Sequence, residues 1–265
     1  MLPFGPETLL ERVVRLLGQA VDVTVVVAAP GQKLPKLPAS VVVAHDRHPD
    51  RGPLEGLAVG LRTLGDRAFG RGEGRGERGE GGGGSGERPA SRPLSLALLP
   101  SLAPGPSPLA PDPWPHAPRP SPLAPGRSPL VSAFVAACDV PLLVPALVRR
   151  MIELSAGHEI AVPHVGGFDQ PLAAVYHLSV LPHVEALLEA DRLRPAYLFD
   201  RVSTRRVTAD ELADVDPELQ SLTNVNSPQE YLAVLERAGL SHPVPGALGE
   251  NLGVPEEEPK PWPRT

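Results

Sequence analysis

The chain has little of what several classes of protein depend on. Its single cysteine, Cys138, excludes an intrachain disulfide and a thiolate metal cage. No apolar run approaches the ~20 residues that a membrane-spanning helix needs, and residues 1–6 lack the basic and apolar regions of a signal peptide. The net charge of -6 argues against a broad nucleic-acid-binding face, which must be basic. We therefore expect a cytoplasmic protein that binds neither nucleic acid nor membrane.

Familiar catalytic signatures are also missing. There is no Gly-Lys-Ser or Gly-Lys-Thr of a P-loop, no Gly-x-Ser-x-Gly of a hydrolase, and no His-x-x-x-His metal spacing. One formal Gly-x-Gly-x-x-Gly stands at residues 74–79. No strand precedes it, and glycine-rich sequence produces this pattern by chance, so we assign it no nucleotide.

Proline and glycine are abundant, with 35 and 26 residues, and they are unevenly spread. Residues 66–128 are rich first in Gly, Arg and Glu and then in Pro, Ser, Ala and Leu. Such a composition buries too little apolar surface to offset the entropy of ordering. We therefore predict one domain formed by residues 1–65 and 129–240, a disordered insertion at 66–128 and a disordered tail at 241–265.

Hydrophobic periodicity in the rest of the chain indicates an α/β fold with strands and helices in alternation. Helices are predicted at residues 7–17, 57–64, 145–155, 180–190 and 228–238. Strands are predicted at residues 23–29, 41–44, 133–138, 159–162, 172–176 and 203–208. The apolar, β-branched strands are typical of a parallel sheet that is buried on both faces.

Asp139 is the leading candidate for a functional residue. It follows the apolar run at residues 133–138 and precedes a predicted helix. In open α/β sheets, ligands bind beyond the carboxyl ends of the strands. A carboxylate there is suited to Mg²⁺ bound together with substrate phosphates. Capping of the following helix is the structural alternative.

Other candidates are weaker when each is taken alone. Asp46 also ends a predicted strand, and with Asp139 it could converge on one cation or sugar, or it could be a surface loop residue. Residues 52–56 lead into a helix, where backbone amides attract anions, or they form a plain turn. Asn224 and Asn226 precede the last helix, where asparagine also serves ordinary turn geometry.

The order of these motifs resembles that of the molybdenum cofactor guanylyltransferases, over residues 2–240 without the insertion. The motifs are Asp46, Gly52-Pro53-Leu54-Glu55-Gly56-Leu57, Ala137-Cys138-Asp139-Val140-Pro141, Gln170-Pro171-Leu172-Ala173 and Asn224-Val225-Asn226-Ser227-Pro228-Gln229-Glu230. The resemblance implies a Rossmann-like nucleotidyltransferase domain. It also implies transfer of GMP from GTP to molybdopterin-bound molybdenum, giving the guanine dinucleotide cofactor and pyrophosphate.

The same resemblance assigns roles to residues. Asp139 is implied to be the catalytic Mg²⁺ ligand and Asp46 part of the GTP site. Gly52, Pro53, Leu54 and Gly56 are also implied to bind substrate. Gln170, Pro171, Asn224 and Asn226 are implied to line the cleft towards molybdopterin. Molybdoenzymes or their chaperones are the implied protein partners.

The chain departs from this family at its beginning. The family starts with a strand and a loop, Leu-Ala-Gly-Gly-x-Ser-x-Arg-Met-Gly, followed by a lysine, and residues 2–5 resemble what comes after that lysine. We therefore expect the first strand to be missing from the sheet, leaving a gap or an exposed edge, and activity to be low. A CTP-dependent cytidylyltransferase and a non-catalytic domain that binds pterin or a partner remain the alternatives.

Overall fold

A computed structural model describes residues 2–48, 51–69, 94–98 and 131–240, with the backbone alone at 94–98. The helices are α1 (Leu9–Leu17), α2 (Gly52–Ala68), α3 (Pro145–Leu154), α4 (Leu181–Glu189) and α5 (Pro228–Arg237). The strands are β1 (Pro3–Phe4), β2 (Glu7–Thr8), β3 (Val23–Ala28), β4 (Val41–His45), β5 (Leu94–Leu98), β6 (Ser132–Ala137), β7 (Ile160–Val165), β8 (Phe168–Asp169), β9 (Val175–His177) and β10 (Thr204–Thr208).

One large sheet organises the molecule. Its strand order is β10-β7-β9-β6-β5-β3-β4, and β8 forms a hairpin with the end of β7. Only β9 runs against the others along this path of described strands, because it pairs antiparallel with both β6 and β7. The carboxyl ends of the other six strands therefore share one edge of the sheet, here called the carboxyl edge.

Helices cover both faces of the sheet. Helices α2 and α4 pack on one face through residues such as Leu57, Leu61 and Leu187. Helices α1 and α3 pack on the other through residues such as Val13 and Met151. A third cluster joins α5 to Phe4, Leu142 and Val225. The predicted Rossmann-like α/β architecture with a mostly parallel sheet is confirmed.

Helix α2 is longer than predicted at both ends. The sequence suggested a turn at residues 52–56 and a helix from Leu57 to Leu64, but the helix begins at Gly52 and continues to Ala68. Gly52 has a φ of +64°, which suits glycine, and Pro53 then occupies the favoured first turn. Gly-Pro therefore starts this helix instead of delaying it.

The strand β5 corrects the prediction for residues 66–128. We expected the whole segment to be disordered and the sheet to have a gap, yet Leu94–Leu98 pairs in parallel with β3 on one side and β6 on the other. Five apolar-rich residues gain backbone hydrogen bonds on both sides, which composition averaged over a long segment does not reveal. Residues 70–93 and 99–130, and the predicted tail, lie outside the described residues.

A second local correction concerns residues 172–176, which we predicted as one strand. The structure has a 3₁₀ turn at Pro171–Ala173, and the strand β9 follows at Val175–His177. The buried Tyr176 hydroxyl donates to the Pro171 carbonyl oxygen at 2.9 Å, which holds the turn closed.

In the part of the chain that the structure describes, no helix has the length and apolarity to cross a bilayer.

Candidate functional site

Asp139 lies at the carboxyl edge, just beyond the end of β6. Its side-chain Oδ1 is buried and has no hydrogen-bond partner among the described residues. Burial raises the pKa of the Asp139 carboxyl, and a backbone hydrogen bond opposes that rise. A buried carboxylate oxygen without a partner is costly, so it marks a position where a ligand is expected.

Asp46 has the same character at the end of β4. Its backbone N–H donates to the Ala28 carbonyl oxygen at 2.9 Å, while its Oδ1 is buried and has no partner among the described residues. Burial is the main cause that raises the pKa of Asp46 to about 6; the nearby Glu55 carboxylate adds to the rise and His45 opposes it. The carboxyl edge therefore holds two unsatisfied carboxylates.

The sheet separates these two aspartates. Strands β3 and β5 lie between β4 and β6, so three strand spacings intervene. At about 4.8 Å per spacing, the strand ends are about 14 Å apart. The described residues also contain no cluster of three or more His, Cys, Asp or Glu that could bind a metal. Convergence of both aspartates on one cation, one of our alternatives, is therefore disfavoured, and the pair instead suits an extended ligand lying along the edge.

The first turn of α2 opens onto the same edge beside Asp46. Its N-cap residue, Arg51, makes no side-chain capping bond, and a Cβ built at Gly52 would meet nothing within 4 Å. Gly52 and Pro53 are partly exposed, whereas Leu54 and Gly56 are buried in the core. Leu54 was predicted to bind substrate, but its side chain faces the hydrophobic core, so only its backbone remains available.

Gln170 and Pro171 lie beyond the β7–β8 hairpin, where the chain turns into β9. The Gln170 N–H donates to the Pro163 carbonyl oxygen at 2.9 Å, and its own carbonyl accepts from Ala173. These bonds hold the backbone at the carboxyl edge, on the side of β6 away from Asp46. Both side chains are partly exposed, as expected for residues that line a cleft.

The Asn224–Asn226 segment is joined directly to the Asp139 loop. Val225 between them is buried, and its N–H donates to the Asp139 carbonyl oxygen at 2.9 Å. Both asparagines are exposed on either side of it. Ser227 caps α5, but Glu230 accepts from the N–H of Asn226 instead of that of Ser227, so only half of a capping box is formed.

Two residues near the site were missed by the sequence analysis. Glu55 is 2% exposed in the first turn of α2 and lies 3.4 Å from the His48 Nδ1. Arg12 of α1 donates from Nε to the Pro141 carbonyl oxygen at 2.6 Å and thereby fastens the loop after Asp139. Glu55 could have been suspected, because it falls among the apolar positions of its helix. The Arg12 contact joins residues 129 positions apart in the chain and leaves no local signal.

Comparison with known proteins agrees with the motif order. The family model described as "MobA-like NTP transferase domain" matches residues 1–70 and 99–204, which is more than half of the chain. The chain belongs to this family. The match leaves out residues 71–98, and therefore leaves out β5.

Individual relatives point in the same direction. A "Probable molybdenum cofactor guanylyltransferase" from Pelotomaculum thermopropionicum is 32% identical over 101 residues, which are 38% of this chain and 49% of that protein. One of the same description from Mycobacterium tuberculosis (strain ATCC 25177 / H37Ra) is 29% identical over 230 residues, 85% of this chain and 78% of that protein. The chain thus spans about half the length of the first of these relatives.

Among solved structures, "Molybdopterin-guanine dinucleotide biosynthesis protein A" from Archaeoglobus fulgidus superimposes with a TM-score of 0.39 at 24% identity. The superposition covers 41% of this chain and 56% of that one.

Proposed function

We propose that this chain transfers GMP from GTP to molybdopterin-bound molybdenum and releases pyrophosphate. A phosphate oxygen of the pterin forms a bond to the α-phosphorus of GTP, while the bond from that phosphorus to the bridging oxygen of pyrophosphate breaks. The proposal is supported by the family and by relatives described as molybdenum cofactor guanylyltransferases. It is also supported by the placement of the motif residues along one edge of the sheet.

The observation that carries the proposal is the pair of buried carboxylate oxygens without partners, one on Asp46 and one on Asp139. Their separation of three strand spacings suits a ligand as extended as a nucleoside triphosphate and its acceptor. Reactions of this kind ask little covalent chemistry of the protein, which contributes positioning and charge stabilisation. A sheet edge that carries two carboxylates with unsatisfied oxygens is suited to that role.

Mg²⁺ is the metal that this family implies, and the residues present fit it. The Asp139 carboxylate is a hard oxygen ligand with an unsatisfied, buried oxygen, as a Mg²⁺ site shared with phosphates requires. Asp139 would hold the ion. Once bound, Mg²⁺ would neutralise phosphate charge. Burial of the Asp139 oxygen in turn limits the access of water to it.

The remaining site residues take positioning roles. The uncapped amides in the first turn of α2 are suited to an anionic group near Asp46. Asn224 and Asn226 are tied to the Asp139 loop through Val225, so they can orient the acceptor beside the aspartate. Gln170 and Pro171 border the same space from the β7 side.

The first test replaces Asp139 by Asn and measures formation of the dinucleotide cofactor from molybdopterin, GTP and Mg²⁺ by mass spectrometry. We expect Asp139→Asn to reduce the rate at least 100-fold, because loss of fixed charge at a phosphoryl-transfer site typically costs orders of magnitude. Asp22→Asn is the matched control, because Asp22 is exposed and precedes β3 at the opposite edge.

CTP is tested in parallel, because a cytidylyltransferase is the competing enzyme. Transfer with CTP but not with GTP would replace the proposed donor. No transfer with either nucleotide, or full activity of Asp139→Asn, would contradict the proposal.

A further inference from the structure

One interior strand of the sheet lies outside the family match. Strand β5 is paired along its whole length, from Val23–Leu94 to Val27–Leu98 against β3. On its other side the pairing runs from Leu94–Ala133 to Leu98–Ala137 against β6. Residues 71–98 fall outside the family match.

We propose that the space between β3 and β6 is a strand-binding slot, occupied by residues 94–98 of the same chain, and that its occupation sets the spacing between Asp46 and Asp139. The occupant is reached only through residues 70–93 on one side and 99–130 on the other. Backbone pairing on both edges places it, as in peptide recognition by strand addition.

An empty slot should bind a strand strongly, because β3 and β6 would both present unpaired backbone groups to it. Among the described strands, the other partners of β3 and β6 are β4 and β9, on their far sides. Without β5, the inward N–H and C=O groups of both strands would lack partners, and such groups are costly when buried. The slot therefore accepts an extended, apolar segment of polypeptide.

The geometry identifies which amides report on the slot. Ala28 accepts from Asp46 on the β4 side, and the Val135 N–H donates to Ala174 on the β9 side. Backbone groups of successive residues in a strand point to opposite sides. The amides of Val25, Val27, Phe134 and Ala136 therefore face β5, whereas those of Val26 and Val135 face away from it.

The slot also separates the two halves of the proposed active site. Asp46 follows β4, which pairs with β3, and Asp139 follows β6, so β5 is the only described strand that joins the two groups. This consequence for function rests on the proposed nucleotide transfer. The slot itself does not, because it follows from the strand order alone.

The experiment is amide hydrogen exchange resolved by NMR on the full chain. Leu96→Pro removes a central N–H, and proline is not tolerated within a central strand. We expect exchange at Val25, Val27, Phe134 and Ala136 to rise at least tenfold more than at Val26 and Val135. Leu102→Pro, the same change outside the strand, should leave all six amides unchanged. Unaltered protection in Leu96→Pro would overturn the proposal.

A second measurement needs no destabilised variant. In a Cys138→Ala background, Val25→Cys with Leu96→Cys should form a disulfide on mild oxidation, because the two positions are directly paired. Val25→Cys with Val135→Cys is the control and should remain reduced, because these positions lie two strand spacings apart on either side of β5. Equal cross-linking of both pairs, or failure of the first pair, would overturn the proposal.

Exchange of the occupant is tested in trans. In a variant with alternating glycine and serine at 94–98, a synthetic peptide of residues 91–101 should restore protection at the four reporting amides. The same peptide carrying Leu96→Pro should not. Lack of rescue by the first peptide would show that the slot is not an acceptor.

Binding of GTP to the same samples, followed by ligand-observed NMR, separates the two proposals. Recovery of GTP binding together with amide protection supports the role of the slot in the site. Protection that returns while GTP binds in no sample, wild type included, leaves the slot in place and contradicts the nucleotide proposal. If GTP binds equally well with the slot filled and with it empty, the claim that β5 sets the spacing between Asp46 and Asp139 is overturned.

Discussion

At the scale of single residues, Asp46 lies in an environment that disfavours the charged form of its carboxyl. Its carboxyl is partly buried and lies near Glu55, and its pKa is raised to about 6. An ordinary Asp in the unfolded chain has a pKa of about 3.9. Between these two values the folded protein binds more protons than the unfolded protein, so the free energy of unfolding falls as pH rises through this window.

Asp46→Asn should therefore stabilise the protein at pH 8 but not at pH 4. The amide cannot ionise, so the variant avoids the cost that the wild type bears once Asp46 is charged. We expect a gain of about 1 kcal/mol in the free energy of unfolding at pH 8, after discounting for solvent screening of a carboxyl that is only half buried.

Urea unfolding at both pH values measures this difference. Asp200→Asn, at an exposed aspartate that precedes β10, is the control and should lack the difference between the two pH values that Asp46→Asn shows. An equal effect of Asp46→Asn at pH 4 and pH 8 would show that ionisation of Asp46 is not the cause.

At the scale of single elements, α1 is defined by local capping chemistry. The Thr8 Oγ1 accepts from the Glu11 N–H at 3.3 Å, and the Glu11 carboxylate accepts from the Thr8 N–H at 2.7 Å. Both halves of a capping box are thus present. The amphipathic face of α1, with Leu10, Val13, Val14 and Leu17 buried, was evident from sequence spacing, whereas this cap was not recognised.

Thr8→Ala should lower the free energy of unfolding by about 1 kcal/mol, because it removes the side-chain acceptor at the N-cap. Thr8→Ser keeps that acceptor and should lose much less. Chemical denaturation compares the two variants with the wild type. Similar losses for alanine and serine would indicate that the threonine methyl group, and not the cap, is responsible.

At the scale of the whole molecule, the connection between α2 and β6 is both an insertion and a part of the sheet. Its composition still predicts easy proteolysis on either side of β5. Residues 94–98, however, are predicted to be held between β3 and β6.

Brief trypsin digestion should accordingly cut first within this connection, at sites such as Arg78 and Arg127. The fragment of residues 79–127 should co-elute with the rest of the chain on size exclusion, and mass spectrometry identifies it. In Leu96→Pro the same fragment should elute separately. A free fragment from the wild type would contradict its retention by the sheet.

The sequence alone determined the features that depend on local pattern. Continuous apolar runs predicted β3 and β6, and a 3.6-residue periodicity predicted the faces of α1 and α4. The aspartates at the ends of β4 and β6 could be located because parallel strands place their carboxyl ends together. Motif order then indicated the family, which the match over residues 1–70 and 99–204 confirmed.

Only the tertiary structure decided what depends on residues distant along the chain. The order of strands separates Asp46 from Asp139, the Val225 bond ties the asparagines to Asp139, and Arg12 fastens Pro141. Strand β5 is the clearest case. Its residues have no local context that favours order, and they form a strand because two distant strands offer unpaired backbone groups, a gain that exists only once the sheet has assembled.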